Sequence, residues 1–308
     1  MNIPLCGVVD VGSNGIRIGV ADLRRKCSPK YLYTSREQVR LGLDSFKTGR
    51  IGRRLEKRLM KVFRKFRKIF DRYQVKTIRA VATSALRDSS NRKQILSRVF
   101  AETSIPLTTI DGNEEARLIH LAANHLLSLK KYTVMMDIGG GSVEIIYSKS
   151  GIIKYLASLK LGSVRMLQKV GVNASQEAYR KFILSHLKHL PIKREFLNPD
   201  HDRLAIGTGG NMRRMGKLRK TLFKKSNTEL VTLNELEEIR EILFSMSYRK
   251  RINKLRMTPD RADVILPSVI LAIEFLKHFN INKLYIPEIS LKDGVLIDLC
   301  QKARTYFS

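Results

Sequence analysis

Two apolar runs in this chain end at an aspartate and lead into a glycine-containing bend. The first run ends at Asp10, and the second, which begins at Tyr132, ends at Asp137. After the first bend, apolar residues alternate with other residues from Ile16 onward, and residues 144–148 read as a second short strand. Alternation with a period of two is the pattern of a half-buried strand. The sequence therefore predicts two β-hairpins, whose aspartates lie 127 residues apart.

A second pattern repeats at nearly the same distance. Residues 78–87 and 204–213 each combine an apolar strand, a turn of small residues and the start of a helix, with Thr83 and Thr208 125 residues apart. Two motifs that recur in the same order and spacing imply a duplicated domain. We predict an α/β protein with two duplicated domains, 1–130 and 131–308. We expect their hairpins and turns to face a cleft between them, where ligands commonly bind.

A long amphipathic helix is predicted between Arg50 and Tyr73, because its apolar residues are three and four positions apart. The opposite face carries eleven lysines and arginines. Such a face is typical of a solvated surface helix. It also suits an electrostatic guide for a long anion, so contact with a substrate remains open at this point.

The charge of the chain is strongly positive. The 308 residues include 58 Lys and Arg against 28 Asp and Glu, a formal net charge of +30, and both halves are basic. An excess spread over the whole chain indicates a polyanionic partner, with a generally basic proteome as the alternative. No base-reading motif accompanies the charge and Trp is absent, which makes nucleic acid a poorer candidate than polyphosphate.

The cysteines and apolar segments indicate a cytoplasmic setting. Cys6, Cys27 and Cys300 are odd in number and lack C-x-x-C spacing, so we expect neither a disulfide framework nor a zinc site. The chain starts a strand almost at once, without the pattern of a signal peptide. The longest apolar stretch, 264–276, is too short to span a bilayer. We expect a soluble protein without membrane contact, and a homodimer remains open.

The bend after Asp137 has the features of a phosphate-binding loop. Three consecutive glycines, 139–141, let successive N–H groups point at one anion. The strand that follows distinguishes this bend from a dinucleotide-binding loop, which opens into a helix. An ordinary tight hairpin is the alternative, because glycine is the default residue there.

Two further segments carry candidate chemistry. Thr83 and Ser84 can cap a helix and offer N–H groups to an anion, and Arg87 can turn back toward it. Glu114 and Glu115 stand at the start of another helix. On the residues alone, adjacent glutamates at that place favour the helix dipole over a catalytic role.

Six collinear motifs between about residues 5 and 300 resemble the exopolyphosphatase and guanosine pentaphosphate phosphohydrolase family. They are Asp10-Val-Gly-Ser-Asn14, Ala82-Thr-Ser-Ala-Leu-Arg87, Gly112-Asn-Glu-Glu-Ala-Arg117, Asp137-Ile-Gly-Gly-Gly-Ser142 with Glu144, Gly207-Thr-Gly-Gly210 and Arg261-Ala-Asp-Val-Ile-Leu-Pro267. The resemblance implies a short two-domain member with the actin-like, sugar-kinase-like and Hsp70-like (ribonuclease H-like) fold. It also implies hydrolysis of a terminal phosphoanhydride with Mg²⁺, and it leaves room for a monovalent cation.

The resemblance also implies roles for individual residues. Glu115 corresponds to the general base that activates water, and Asp137 with Glu144 organises the metal and the attacking water. The implied phosphate-binding residues are Ser13, Asn14, Arg87, Gly140, Gly141, Ser142, Gly209 and Arg213. The chain departs from the family pattern at Gly15, Val143, Asn211 and Ser268, where members more often carry Ser, Thr, Thr and Gly.

The resemblance and the charge together favour an exopolyphosphatase that releases orthophosphate from the ends of inorganic polyphosphate. One alternative is a guanosine pentaphosphate 5′-phosphohydrolase. Another is a non-catalytic sensor of polyphosphate or guanosine tetraphosphate, against which the presence of all the expected carboxylates argues. A third is an ATP-dependent kinase or ATPase of the same superfamily, in which the pair Glu114 and Glu115 would have no role.

Overall fold

The computed structural model describes residues 5–24, 27–172, 174–191, 194–198 and 202–305. The chain divides into two compact units. The first contains the residues up to Ser128 and those from Ser290 onward, and the second contains Leu129–Ile289. Within the described ranges, none of the helices combines the length and the hydropathy needed to cross a bilayer.

The first unit is a five-stranded sheet with helices. Its elements up to Ser128 are β1 (Cys6–Val11), β2 (Ile16–Asp22), β3 (Lys30–Glu37), α1 (Gly42–Thr48), α2 (Arg53–Arg72), β4 (Thr77–Ala82), α3 (Ser84–Arg87), α4 (Arg92–Thr103), β5 (Leu107–Thr109) and α5 (Gly112–Leu127). The strand order is β3-β2-β1-β4-β5, with β1–β2 and β2–β3 antiparallel and β1–β4 and β4–β5 parallel. Every residue of the central strand β1 is buried.

The predicted amphipathic helix is α2. Its apolar residues, among them Leu59, Phe63, Phe66 and Phe70, are fully buried in the core that also contains β1 and β2. The helix lies so close to β1 that a Cβ atom at Gly7 would come within 2.5 Å of the Phe70 ring. Burial of this face supplies the hydrophobic stabilisation that holds a strongly charged helix in place.

The second unit repeats this plan. Its elements are β6 (Tyr132–Ile138), β7 (Val143–Lys149), β8 (Ile152–Leu159), α6 (Ser163–Val170), α7 (Gln176–Leu187), β9 (Arg203–Thr208), α8 (Gly210–Phe223), β10 (Leu230–Thr232), α9 (Leu233–Ser245), α10 (Tyr248–Leu255), α11 (Pro259–Ala262), α12 (Ile265–His278) and β11 (Lys283–Tyr285). A 3₁₀ turn lies at Arg194–Phe196. The strand order is β10-β11-β9-β6-β7-β8.

The strands of the two sheets are arranged in corresponding order. The order β3-β2-β1-β4-β5 of the first unit corresponds to β8-β7-β6-β9-β11 of the second, and β10 is added at the edge, antiparallel to β11. Both predicted hairpins are present, as β1–β2 and β6–β7. The predicted fold class, an α/β protein with two duplicated domains, is confirmed.

The C-terminal helix α13 (Leu291–Thr305) belongs to the first unit. Gly294 lets it approach α5 closely, since a Cβ atom there would come within 1.9 Å of the Leu118 carbonyl oxygen. The carboxylate of Asp298 accepts hydrogen bonds from Arg79 of β4 and from Arg117 of α5. The predicted range 131–308 included this helix in the second domain. The difference arises from long-range contacts with the first unit, which no sequence pattern shows.

The prediction that the cysteines form no disulfide is wrong. Cys27, in the connection between β2 and β3, is bonded to Cys300 of α13, and their Cα atoms are 5.6 Å apart. The two residues are separated by 273 positions in sequence, so no local spacing pattern could indicate the pairing. Cys6 is a buried thiol outside this disulfide, and burial together with the nearby Asp22 carboxylate raises its pKa to about 11.

The Asp298 carboxylate is expected to make stability depend on pH. Burial alone would raise its pKa, but hydrogen bonds from Arg117, Arg79 and Lys302 outweigh burial and lower the pKa to about 2. A lowered pKa contributes stability above the ordinary aspartate value near 4, and this contribution is lost as the pH falls through about 2. We expect Asp298→Asn to lower the free energy of unfolding by about 1–3 kcal/mol at pH 7, since the arginines are partly exposed.

Urea unfolding of both proteins at pH 7 and at pH 2.5 tests this expectation. The difference between the parent and Asp298→Asn should narrow at the lower pH, because the parent then loses the contribution that the variant never had. An equal difference at the two pH values would show that ionisation of Asp298 is not the cause.

Candidate functional site: two phosphate loops and their carboxylates

The turns of the two hairpins share the same hydrogen bonds. In the first, the N–H of Gly12 donates to the Gly15 carbonyl oxygen at 3.1 Å, and in the second the N–H of Gly139 donates to the Ser142 carbonyl oxygen at 3.1 Å. Both pairs are related by the 127-residue offset of the hairpins. The duplication therefore extends from the motifs to the geometry of the turns.

The first turn holds Ser13 and Asn14, two of the expected phosphate-binding residues. Both are buried. The Ser13 hydroxyl shares a hydrogen bond of 2.9 Å with the Ser84 hydroxyl. Ser84 is the first residue of α3, directly after β4. The Asn14 side-chain oxygen accepts a hydrogen bond from Arg40 at 3.1 Å, and the Asn14 backbone carbonyl accepts one from Arg36 at 3.3 Å. Both oxygens of Asn14 therefore accept hydrogen bonds, and its side-chain NH₂ group is a hydrogen-bond donor.

Arg36 and Arg40 are site residues that the sequence reasoning missed. They come from the end of β3 and the segment that follows it, where no glycine motif draws attention to them. A cation four residues from another cation is common on a surface, so the sequence carried no signal specific enough to identify them.

Arg87 and Glu115 lie close together in the first unit. Arg87 donates a hydrogen bond to the Ile110 carbonyl oxygen at 2.9 Å, and its Nη1 atom is 3.6 Å from the Glu115 carboxylate. Glu115 lies in the first turn of α5, whose N-cap Asp111 accepts a hydrogen bond from the Glu114 N–H. The Glu115 side chain is 7% exposed.

The neighbouring glutamate has different contacts. Both carboxylate oxygens of Glu114 accept hydrogen bonds from Arg117, at 2.6 and 2.9 Å. Arg79 is 3.6 Å away, and the Glu114 side chain is 30% exposed. Glu114 therefore belongs to the ion-pair network around α13, whereas Glu115 is buried beside Arg87.

The second turn, 139–142, packs its carbonyl oxygens against the start of α6. The carbonyl of Gly139 accepts from the Ser163 N–H, and that of Gly140 accepts from the N–H groups of the two residues that follow Ser163. Gly162 makes this approach possible, since a Cβ atom there would lie 2.3 Å from the nitrogen of Gly141. Across the described ranges, no group accepts a hydrogen bond from the N–H of Gly140 or Gly141. Unused N–H groups on consecutive glycines are the basis of an anion-binding nest.

Asp137 and Glu144 face each other at the base of the second hairpin. They are directly opposite in the β6–β7 ladder, so their side chains share one face of the sheet, and both are buried. Asp137 accepts a hydrogen bond from the Thr208 hydroxyl, and Glu144 accepts one from the Ser158 hydroxyl at 2.8 Å. Gly209 has a φ of +98°, and a Cβ atom there would lie 2.8 Å from the Ile138 carbonyl oxygen.

The first hairpin shows how unusual this pair of carboxylates is. Asp10 lies opposite Arg17 in the β1–β2 ladder, and the two form an ion pair of 2.9 Å. Asp10 and Arg17 correspond to Asp137 and Glu144 by the 127-residue offset, so the second unit has a carboxylate where the first has a guanidinium. Two buried carboxylates on one face favour a bound cation. Their oxygen donors match the ligand preference of Mg²⁺.

Two of the departures from the family pattern contact each other. The Asn211 amide donates hydrogen bonds to the hydroxyls of Ser268, at 2.7 Å, and Ser163, at 3.1 Å. Arg261 donates to the Asn211 side-chain oxygen at 2.7 Å. The amide at 211 and the hydroxyl at 268 thus form one buried network beside the second loop. The guanidinium of Arg213, an expected phosphate-binding residue, donates to the Ile289 carbonyl oxygen at 3.1 Å.

Comparison with known proteins finds relatives that match nearly the whole chain. The Exopolyphosphatase 1 of Mycobacterium tuberculosis is 26% identical over 94% of this chain and 87% of its own length. The bifunctional 3-dehydroquinate synthase/phosphatase of Fusobacterium nucleatum is 28% identical over 94% of this chain, which spans only 46% of that protein. Among solved structures, an exopolyphosphatase from Cytophaga hutchinsonii has a TM-score of 0.87 at 24% identity, covering 97% of this chain and 98% of its own.

A second solved structure, a Ppx/GppA family member from Aquifex aeolicus, has a TM-score of 0.80 at 22% identity and covers 97% of this chain and 98% of its own. These structures show the same fold. The model of the Ppx/GppA phosphatase family matches residues 20–303, nearly the whole chain. The chain therefore belongs to the Ppx/GppA phosphatase family.

Proposed function

We propose that this protein hydrolyses the terminal phosphoanhydride of inorganic polyphosphate and releases orthophosphate. The observation that carries the proposal is the second hairpin, where two buried carboxylates stand at the base of a turn with unused glycine N–H groups. The net charge of +30 favours a long polyanion. Relatives that bear the name exopolyphosphatase, at 26% identity, give further support.

The contacts within each unit support the proposed phosphate-binding roles. Gly140 and Gly141 present N–H groups, and the amide of Asn14 and the guanidinium of Arg87 are polar donors at the first loop. Donors of this kind neutralise the equatorial oxygens of the phosphoryl group, which is most of what phosphoryl transfer requires. We include Ser13, Ser142, Gly209 and Arg213 in the same proposed set.

Glu115 is the proposed general base. Its carboxylate would take a proton from the water that attacks the terminal phosphorus, while the bond to the bridging oxygen breaks and the shortened chain leaves with that oxygen. Burial of Glu115 and the presence of Arg87 beside it suit a carboxylate that acts on a bound anion. Glu114 is held by Arg117 and is not available in the same way.

Asp137 and Glu144 are the proposed ligands of Mg²⁺. When bound, the ion would neutralise charge on the transferred phosphoryl group and help to orient water. The hydroxyls of Thr208 and Ser158 each hold one of these carboxylates through a hydrogen bond and so set the direction of the remaining oxygens.

Removing the Ser158 hydroxyl is expected to weaken metal binding. Ser158→Ala leaves both carboxylates in place but removes the hydrogen bond that orients Glu144, and such changes commonly cost about 10- to 100-fold in metal affinity. Titration of phosphate release with Mg²⁺ would measure the concentration needed for half-maximal activity. Ser148→Ala on β7, the strand that carries Glu144, is the control, since the Ser148 hydroxyl has no hydrogen-bond partner among the described residues. Equal shifts in both variants would contradict the role of Ser158.

The substrate is tested by comparing three phosphoanhydrides side by side. Phosphate release from long-chain polyphosphate, guanosine pentaphosphate and ATP is measured with Mg²⁺ and with a chelator. We expect the highest kcat/KM for polyphosphate, little turnover of ATP and no activity with the chelator. Preference for guanosine pentaphosphate would overturn the substrate assignment, and stoichiometric ADP formation from ATP would favour a kinase-like enzyme.

A further inference from the structure

Six exposed cations form one row along α2. At about 100° per residue, steps of four, three, four, three and four keep side chains on one helix face. The row extends for about 27 Å at the helical rise per residue. These residues, called the cationic stripe below, are Arg54, Arg58, Lys61, Lys65, Lys68 and Arg72.

The cationic stripe is poorly neutralised within the chain. Among the described residues, Lys65 is the member with a carboxylate partner, Glu37, at 2.6 Å. Two other cations of the same helix are paired, Arg64 with Glu102 and Arg67 with Asp71. Like charges three and four residues apart destabilise a helix. A row of them therefore lowers stability unless an external anion lies along it.

The stripe is linked to the first phosphate loop through β3. Glu37, the partner of Lys65, lies opposite Ile16 in the β2–β3 ladder, and Ile16 directly follows the first turn. The preceding residue, Arg36, donates a hydrogen bond to the carbonyl of Asn14 in that turn. A linear anion on the stripe thus lies next to residues that contact the expected phosphate-binding loop.

We propose that the cationic stripe is an exosite for the extended part of an inorganic polyphosphate chain. This inference rests on the proposed function, which concerns only the terminal phosphate. A single row of cations suits one linear polyanion. The aromatic residues of α2, Phe63, Phe66 and Phe70, are buried, so the stripe offers no surface on which bases could stack, and single-stranded nucleic acid is disfavoured.

Two variants with the same change in net charge test the exosite. The stripe variant combines Arg54→Gln, Arg58→Gln, Lys61→Gln and Lys68→Gln, in which glutamine preserves helix propensity. The control variant combines Lys181→Gln, Lys188→Gln, Lys225→Gln and Lys254→Gln, at four exposed lysines of the second unit. A further control on the same helix is Arg64→Gln with Arg67→Gln, which removes paired cations outside the stripe.

Binding and hydrolysis are measured separately. Affinity for fluorescently labelled long-chain polyphosphate is determined in chelator, at several salt concentrations. Log affinity falls as log salt rises, so the slope is negative. In the stripe variant we expect this slope to become shallower by roughly three, since each lost phosphate contact removes about 0.7–0.9 from its magnitude. The two controls should keep the slope of the parent. Mg²⁺-dependent phosphate release from triphosphate should be unchanged in the stripe variant, because that substrate is too short to need the stripe.

Other results would overturn the exosite. An unchanged slope in the stripe variant would show that the charged face of α2 is only solvated and does not bind polyphosphate. Equal losses of affinity in the stripe and control variants would show an effect of net charge alone. Tighter binding of single-stranded RNA than of polyphosphate, lost in the stripe variant, would make the stripe a nucleic-acid surface. A parent protein that hydrolyses neither polyphosphate nor triphosphate would refute the proposed function, whereas the slope in chelator would still decide the exosite.

Discussion

Replacing Glu115 by glutamine is expected to lower kcat for phosphate release roughly 10²- to 10⁴-fold, the usual contribution of a positioned general base. The amide has nearly the same shape but cannot take a proton from water. Because glutamine keeps the size of the side chain and the ion pair with Arg87 is a distant one of 3.6 Å, the fold should persist. Binding of polyphosphate in chelator should survive, since the phosphate donors remain. Steady-state kinetics with polyphosphate and a binding titration give the two quantities.

Glu114→Gln is the matched control at the adjacent position. It weakens the hydrogen bonds with Arg117, one of which is 2.6 Å long, and should lower the free energy of unfolding by up to about 1 kcal/mol, because this pair is partly exposed. Its kcat should stay within a few-fold of the parent. A large loss of kcat in Glu114→Gln with little change in Glu115→Gln would place the base one residue earlier.

Gly162→Ala is expected to lower kcat/KM about 100-fold, because it displaces the loop that the proposed mechanism needs. The new Cβ atom would come within 2.4 Å of backbone atoms of both Gly140 and Gly141, which cannot rotate away as a side chain can. A displacement of about 1 Å in a positioning element can cost that much in rate. The loss should appear in kcat/KM for polyphosphate and also for triphosphate, since both would use this loop.

Gly216→Ala separates this effect from a general loss of stability. Its Cβ atom would come within 2.0 Å of the Thr228 carbonyl oxygen, a clash of similar severity on α8, away from the glycine turn. Both variants should have a lower Tm than the parent. At a temperature where both are folded, only Gly162→Ala should show the large loss of kcat/KM, and equal losses would mean that stability alone explains the effect.

The sequence was informative about the fold where local patterns decide structure. The period-two alternation after Asp10 and the steps of three and four in α2 both correspond to observed elements. The assignment of α13 to the first unit was not predictable, since it depends on contacts such as Asp298 with Arg117, 181 residues earlier in the sequence. The disulfide between Cys27 and Cys300 escaped prediction for the same reason.

In the candidate site too, side-chain contacts between distant residues could not be predicted from the sequence. The glycine motifs located both hairpin turns, and the family resemblance singled out the carboxylates Asp137 and Glu144. The sequence did not show that Arg40 holds Asn14, or that Glu114 is committed to Arg117, since both facts depend on side-chain contacts. The contrast between Arg17 and Glu144 was present in the repeat, and aligning the two hairpins residue by residue would have revealed it.

Hydrolysis of polyphosphate in ¹⁸O-labelled water, followed by phosphorus-31 NMR, tests the central proposal most directly. Attack of water on the terminal phosphorus places one ¹⁸O atom in each orthophosphate released, and the remaining chain receives none. We expect singly labelled orthophosphate to accumulate from the start of the reaction, only with Mg²⁺ present, and at a rate that collapses in Glu115→Gln. Early appearance of labelled chain ends without orthophosphate would show internal cleavage. Unlabelled orthophosphate together with labelled chain ends would show attack of water on the penultimate phosphorus. Either result would contradict the proposed reaction.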